Sequence, residues 1–196
     1  MLVIDVETSG TDSRVHGILS IGGVDYLNPE RQFYGDCRLW SEARVMDDAL
    51  KVNGFSKDGL WNSNKQSEES LINDFIDWFS KSENHNLAGQ NPHFDLSFLI
   101  ECCLRNKVDI PFARRLIDLH SVAIFHMIQK GIEIPSDKGR SNVNSDSIMS
   151  YVGIPKEPHP HNALNGAIWE AEAFSRFFNG MYLFKRFKEF PVPWKS

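Results

Sequence analysis

The chain has 196 residues, 41% of them apolar and 24% charged, which suits one well-cored globular domain and is short for two. No apolar run is long enough to cross a bilayer, and Asp5 interrupts the N-terminal one, so neither a membrane span nor a signal peptide is expected. A net charge of −5 argues against a protein that coats nucleic acid by bulk electrostatics, but not against one that meets phosphates through bound cations. Cys37, Cys102 and Cys103 are odd in number, include an adjacent pair and contain no CxxC spacing. They read as free thiols in a reducing cytoplasm, without structural zinc.

In chain order, residues 2–6 (LVIDV) form a buried strand, and residues 18–26 and 32–39 form two more, joined by the Asn28-Pro29-Glu30 turn into an antiparallel meander. Residues 67–80 carry an N-capping Ser67, acids in the first turn, and Leu71, Ile72, Phe75, Ile76 and Phe79 at helical spacing. A short strand at 86–89 precedes a helix at 95–105, and a strand at 116–119 leads into a helix at 121–129. Residues 131–144 are polar, with Pro135 and Gly139, and read as a mobile surface loop. Helical spacing resumes at Ile148, Met149 and Val152, and a last strong helix covers 162–178. The tail starts as an amphipathic segment that Pro191 and Pro193 stop. A meander followed by alternating helices and short strands predicts one mixed-sheet α/β domain.

Three stretches carry chemistry. Asp5 and Glu7 are two residues apart on a strand, so both carboxylates point to one face. Like charges so placed raise each other's pKa unless a cation lies between them, and hard divalent ions prefer oxygen ligands. Asp95, in QNPHFDLSFL, opens a predicted helix, where a carboxylate first of all caps backbone N–H groups; its second oxygen leaves metal binding compatible with that role. His161 stands just before the last helix, on a proline-flanked approach that exposes its ring. His159 and His161 have His-x-His spacing, but no Cys or third His lies near enough in sequence to complete a nitrogen-type site. Basic residues cluster at Arg114 and Arg115, and at Lys185, Arg186 and Lys188, as solvated faces or as substrate contacts.

Together, Asp5-x-Glu7, Asn91-Pro92-His93-Phe94-Asp95 and His161-Asn162-Ala163-Leu164 resemble the DEDD superfamily of 3′-to-5′ exonucleases in its histidine subtype, over roughly residues 1–180. The resemblance implies a ribonuclease-H-like fold, a five-stranded mixed sheet flanked by helices, with residues 181–196 as an aromatic and basic tail packed on the domain or extending from it. It implies two Mg²⁺ or Mn²⁺ ions held by Asp5, Glu7 and Asp95. Asp5 would bridge both ions, Glu7 would approach the terminal 3′-hydroxyl, and His161 would serve as general base. The main chain from Thr8 to Gly10 would hold the terminal nucleotide of a single-stranded DNA or RNA 3′ end. The rings of Phe184, Phe187, Phe190 and Trp194 read as core, with a homodimer contact or a substrate-facing surface as the alternatives.

The histidine subtype has a fourth acid five residues after the histidine, and this chain has Gly166 there. Glycine offers a metal nothing and weakens a helix interior by about 1 kcal/mol relative to alanine. An engineered exchange, a natural loss of catalysis with binding retained, or substitution by another acid would each explain it. Glu170 is on the same helical face but about 6 Å further along the axis, and it reads as a surface glutamate. The expected function is an exonuclease impaired at this position; the alternative is a non-cleaving nucleic-acid or nucleotide-binding module.

Overall fold

The computed structural model describes residues 1–195; Ser196, at the end of the predicted tail, lies outside the described residues. The central strand β1 (Leu2–Thr8) pairs antiparallel with β2 (Ile18–Asp25), which pairs antiparallel with β3 (Gln32–Asp36). On its other edge β1 runs parallel to β4 (Leu87–Gly89), which is parallel to β5 (Ile117–Asp118), giving the order β3-β2-β1-β4-β5. This is the ribonuclease-H-like mixed sheet expected from the sequence.

Alternation along β1 divides its side chains cleanly. Leu2, Ile4 and Val6 face a core shared with α2 (Glu68–Ser80) and α3 (Pro92–Asn106), whereas Val3 joins the core under α4 (Leu119–Gln129), α5 (Ser145–Tyr151) and α6 (Ala163–Asn179). Asp5 and Glu7 share Val3's parity and so point toward α6. In α2, Leu71, Ile72, Phe75 and Phe79 are buried, and the Ser70 N–H donates to Ser67 Oγ at 3.1 Å, the predicted cap.

Helix α6 is held close to the sheet because the residues beneath it are small. A Cβ on Gly22 of β2 would lie 2.0 Å from the Ala163 carbonyl oxygen, so only glycine lets the helix start there. Three residues later Gly166 passes over Asp5 of β1, and a turn beyond that Glu170 reaches Gly89 of β4. The helix thus crosses β2, β1 and β4 in turn.

Several predicted boundaries move. Helix α3 begins at Pro92, not Asp95, because proline suits the first helical position, where no N–H is needed. Its N-cap, Asn91, has the positive φ of 54°. Asp118 caps α4, accepting the N–H groups of His120 and Ser121, so that helix starts two residues before the predicted one. Within the predicted loop at 131–144, Ser136–Asp137 and Arg140–Ser141 pair as a small hairpin around Lys138 and Gly139, both at positive φ. Helix α1 (Asp47–Asn53) was not foreseen.

The tail packs on α6. Arg176, fully buried, donates to Glu172 and to the carbonyls of Val152, Phe187, Phe190 and Pro191, while Glu172 accepts the Leu183 and Phe184 N–H groups. Phe184 and Phe187 enter the core, Trp194 lies against His126, Tyr151 and Phe177, and Phe190 is exposed. The amphipathic start is a single 3₁₀ turn, Lys185–Phe187. Among the described residues no helix is long and apolar enough to cross a membrane.

Candidate active site

Strand β4 accompanies β1 only through Leu2 and Val3, then ends at Gly89. Past that point β1 exposes backbone donors on the vacated edge, and Asp95 fills the gap: the Val6 N–H donates to Asp95 Oδ1 at 3.0 Å. The donor, Val6, lies between Asp5 and Glu7 in sequence, so a carboxylate from α3 is thereby fixed beside the two acids of β1. Asp95 is 4% exposed, and the predicted helix-opening aspartate instead spends its first oxygen on the sheet.

The same junction binds the end of β4 to two other acids. The Gln90 N–H donates to Glu170 Oε2 at 3.1 Å, and the Asn91 N–H to Asp118 Oδ1 at 3.1 Å. Glu170 is buried, which corrects its reading as a surface glutamate. The physical reason is the diagonal path of α6: four residues beyond Gly166 the helix is no longer over β1 but over the open end of β4.

His161 is anchored through its backbone N–H, which donates to the Val52 carbonyl in α1 at 3.0 Å. Its Nδ1 is 3.6 Å from Glu157 Oε2, while Glu157 Oε1 accepts the Asn162 N–H at 3.2 Å. Glu157 was missed by sequence reasoning; nothing in KEPHPH marks it, because its proximity to the acids depends on how the loop folds back. Thr8 donates its hydroxyl to the Gly10 carbonyl, Asn53 donates its amide to the Thr8 carbonyl, and the ring of His16 stacks against Gly10. The Thr8–Gly10 segment is therefore rigidly braced.

Among the described residues no cationic side chain answers this charge. None of the ion pairs among the described residues involves Asp5, Glu7, Asp95 or Glu170. Burial, then the charges of Glu170, Asp95, Glu7 and Glu157, raise Asp5 well above the usual carboxylate range. Burial and Glu157 push Glu7 up to about 7, and burial pushes Asp95 up to about 7 despite the stabilising Val6 N–H. Burial and Asp95 raise Glu170 in the same way. Burial and His159 lower His161, which favours its neutral, proton-accepting form.

The donors are hard oxygens with uncompensated charge, the chemistry that fits a divalent cation. Among the described residues no three His, Cys, Asp or Glu side chains are grouped so as to hold a metal ion as they stand. The cleft of about 390 Å³ bordered by Arg38, Trp40, Trp61, Glu68 and Asn106 shares none of these acids.

Sheet order, strand-borne acids and the helix that crosses them define a ribonuclease-H-like fold. Comparison with known proteins agrees. No protein-family model matches the chain. The PolC-type DNA polymerase III of Thermotoga petrophila is 23% identical over 180 residues, which span 92% of this chain but only 12% of that protein. Cell-death related nuclease 4 superposes with a TM-score of 0.72 at 14% identity, covering 91% of this chain and 63% of the nuclease. E. coli Exonuclease I in complex with a dA16 oligonucleotide gives 0.71 at 16% identity, over 91% of this chain and 40% of that one. The nuclease domain of 3′hExo, a DEDDh family member bound to rAMP, gives 0.70 at 17% identity with 91% of both chains covered. At these identities the likeness is one of fold.

Proposed function

We propose that this chain is a metal-dependent 3′-to-5′ exonuclease that releases nucleoside monophosphates from single-stranded DNA or RNA ends. The observation that carries the reading is the Val6–Asp95 hydrogen bond, which joins an acid from α3 to the pair on β1. Exonuclease I in complex with dA16 and 3′hExo bound to rAMP share the fold and lend support.

In this reading Asp5, Glu7 and Asp95 would hold two Mg²⁺ or Mn²⁺ ions, Asp5 serving both, Glu7 the first and Asp95 the second. When bound, such ions stabilise the incoming and leaving oxygens of an in-line displacement at phosphorus. The braced Thr8–Gly10 main chain receives the terminal nucleotide, and Glu7 lies next to its 3′-hydroxyl. His161, neutral and with Nδ1 toward Glu157, takes a proton at Nε2 from water as that water attacks the last phosphodiester. The bond to the penultimate 3′-oxygen breaks, giving a nucleoside 5′-monophosphate and a strand one residue shorter.

Gly166 withholds a carboxylate, and losing one metal-positioning group without a replacement costs several kcal/mol of transition-state stabilisation, so the enzyme is slow unless another acid takes that place. The same glycine favours a second reading, a module that binds single strands without cutting them. A 5′-labelled single strand incubated with Mn²⁺ separates the two. A ladder that shortens from the 3′ end, lost in Asp5→Asn, supports the enzyme. Strand binding that persists in Asp5→Ala/Glu7→Ala, with no cleavage by either form, supports the module and sinks the enzyme.

A further inference from the structure

Gly166 stands where the resemblance implies a fourth acid, with Asp5 directly beside it. A Cβ on Gly166 would lie 2.3 Å from Asp5 Oδ2 and 2.8 Å from Asp5 Cγ, so the Asp5 carboxylate occupies the space that a side chain at 166 would need. One turn further, Glu170 enters the same buried zone from the same helix. Only its Oε2 is engaged, by the Gln90 N–H; among the described residues no donor reaches Oε1. Gly89 permits the approach, since even the position of its missing Cβ is just 3.3 Å from Glu170 Oε2. Glu7 points independently to a missing ligand. It is only 8% exposed, and no hydrogen-bond donor or cation among the described residues meets its carboxylate.

We infer that Glu170 serves as the fourth acidic ligand of the cation site, reaching it from β4's end while Gly166 gives Asp5 its room. The assignment rests on the metal-dependent reading above. Its length is what makes the exchange work: glutamate on α6 one turn later approaches Asp5 along the sheet, whereas a shorter side chain at 166 would approach from directly above. The Gln90 N–H fixes one oxygen and leaves the other for a cation, the arrangement by which an outer hydrogen bond orients a ligating carboxylate.

The test is Mn²⁺ binding, measured by electron paramagnetic resonance on the unaltered chain, Glu170→Gln and Glu157→Gln. Glutamine is isosteric and its amide oxygen still accepts from Gln90, so folding should survive and is checked by melting temperature. A ligand role predicts that Glu170→Gln weakens Mn²⁺ binding by at least about tenfold, and distinctly more than Glu157→Gln, which removes an equal charge from the same neighbourhood. Equal losses, or none, overturn the assignment of Glu170 and leave the nuclease reading standing. No Mn²⁺ binding by the unaltered chain overturns both. If Glu170→Gln does not fold, anomalous scattering from Mn²⁺-soaked crystals of the unaltered chain decides: an ion bonded to Glu170 supports the inference, and an ion bound only to the other acids refutes it.

Discussion

Asp5 and Gly166 are coupled by exclusion: the carboxylate of one stands where the side chain of the other would be, with Oδ2 at 2.3 Å from the missing Cβ. The conflict involves the free end of a side chain, which can rotate away. Gly166→Ala should therefore leave stability within about 1 kcal/mol, helix propensity offsetting the displaced rotamer. It should nevertheless lower Mn²⁺ affinity and cleavage sharply, because Asp5 no longer points into the site. Chemical denaturation paired with a cleavage assay checks this; a variant as active as the unaltered chain would refute the coupling.

Gly22→Ala makes the contrasting case. Its Cβ would meet the backbone of Ala163 and Leu164 at 2.0–2.3 Å, and backbone cannot rotate out of the way. Lifting the start of α6 from β2 should destabilise the fold by at least about 1–3 kcal/mol, read as a lower urea midpoint.

Much of this architecture was legible from the chain. Period-two alternation fixed the facing of Asp5 and Glu7, and Ser67, with its acidic first turn, marked the start of α2 correctly. Asp95 was found for its charge but misread in its setting, since the proline at position 92 already starts the helix. Glu157 was missed, and Glu170, weighed as a substitute acid, was read as a surface residue, for a different reason. Distance along one helix axis says nothing about which strand lies beneath each turn, and a proline-rich loop has no periodicity to show where it folds back. Such placements arise from tertiary packing, in this case from Gly22, Gly89 and Gly166 letting α6 lie diagonally on the sheet.

The uncompensated acids predict a pH dependence in chelator-treated protein. Glu7 rises from an ordinary 4.5 to about 7 on folding, through burial and the charge of Glu157, and Asp95 also reaches about 7. A carboxyl raised in the folded state contributes stability that is complete below its unfolded value and is lost as pH rises through the folded one. The melting temperature should thus fall between pH 5 and pH 8, by an amount worth about 3 kcal/mol for Glu7 alone. Added Mn²⁺ should restore stability at the alkaline end. A flat profile without cation would contradict the charge accounting of the site.

His161→Gln should cut cleavage by about 10²–10⁴-fold, the usual contribution of a general base, while Mn²⁺ affinity stays unchanged. Parallel loss of both would move His161 from proton transfer to metal binding.

The buried Glu172–Arg176 pair, joined within α6 by a 2.7 Å bond, ties the tail to that helix through the Leu183 and Phe184 N–H groups and the carbonyls of Phe187, Phe190 and Pro191. Removing one partner leaves the other charged and unpaired, so Arg176→Ala should cost about 3–5 kcal/mol. Limited proteolysis should then cut within residues 181–195 first.

The converging acids should drive hydrolysis at a 3′ terminus. A single strand labelled on its last nucleotide, incubated with this chain and Mn²⁺, should yield that label as a free mononucleotide. Chelation or Asp95→Asn should abolish the release. Label that stays on full-length strand at every Mn²⁺ concentration, or that is freed equally by Asp95→Asn, would contradict the account.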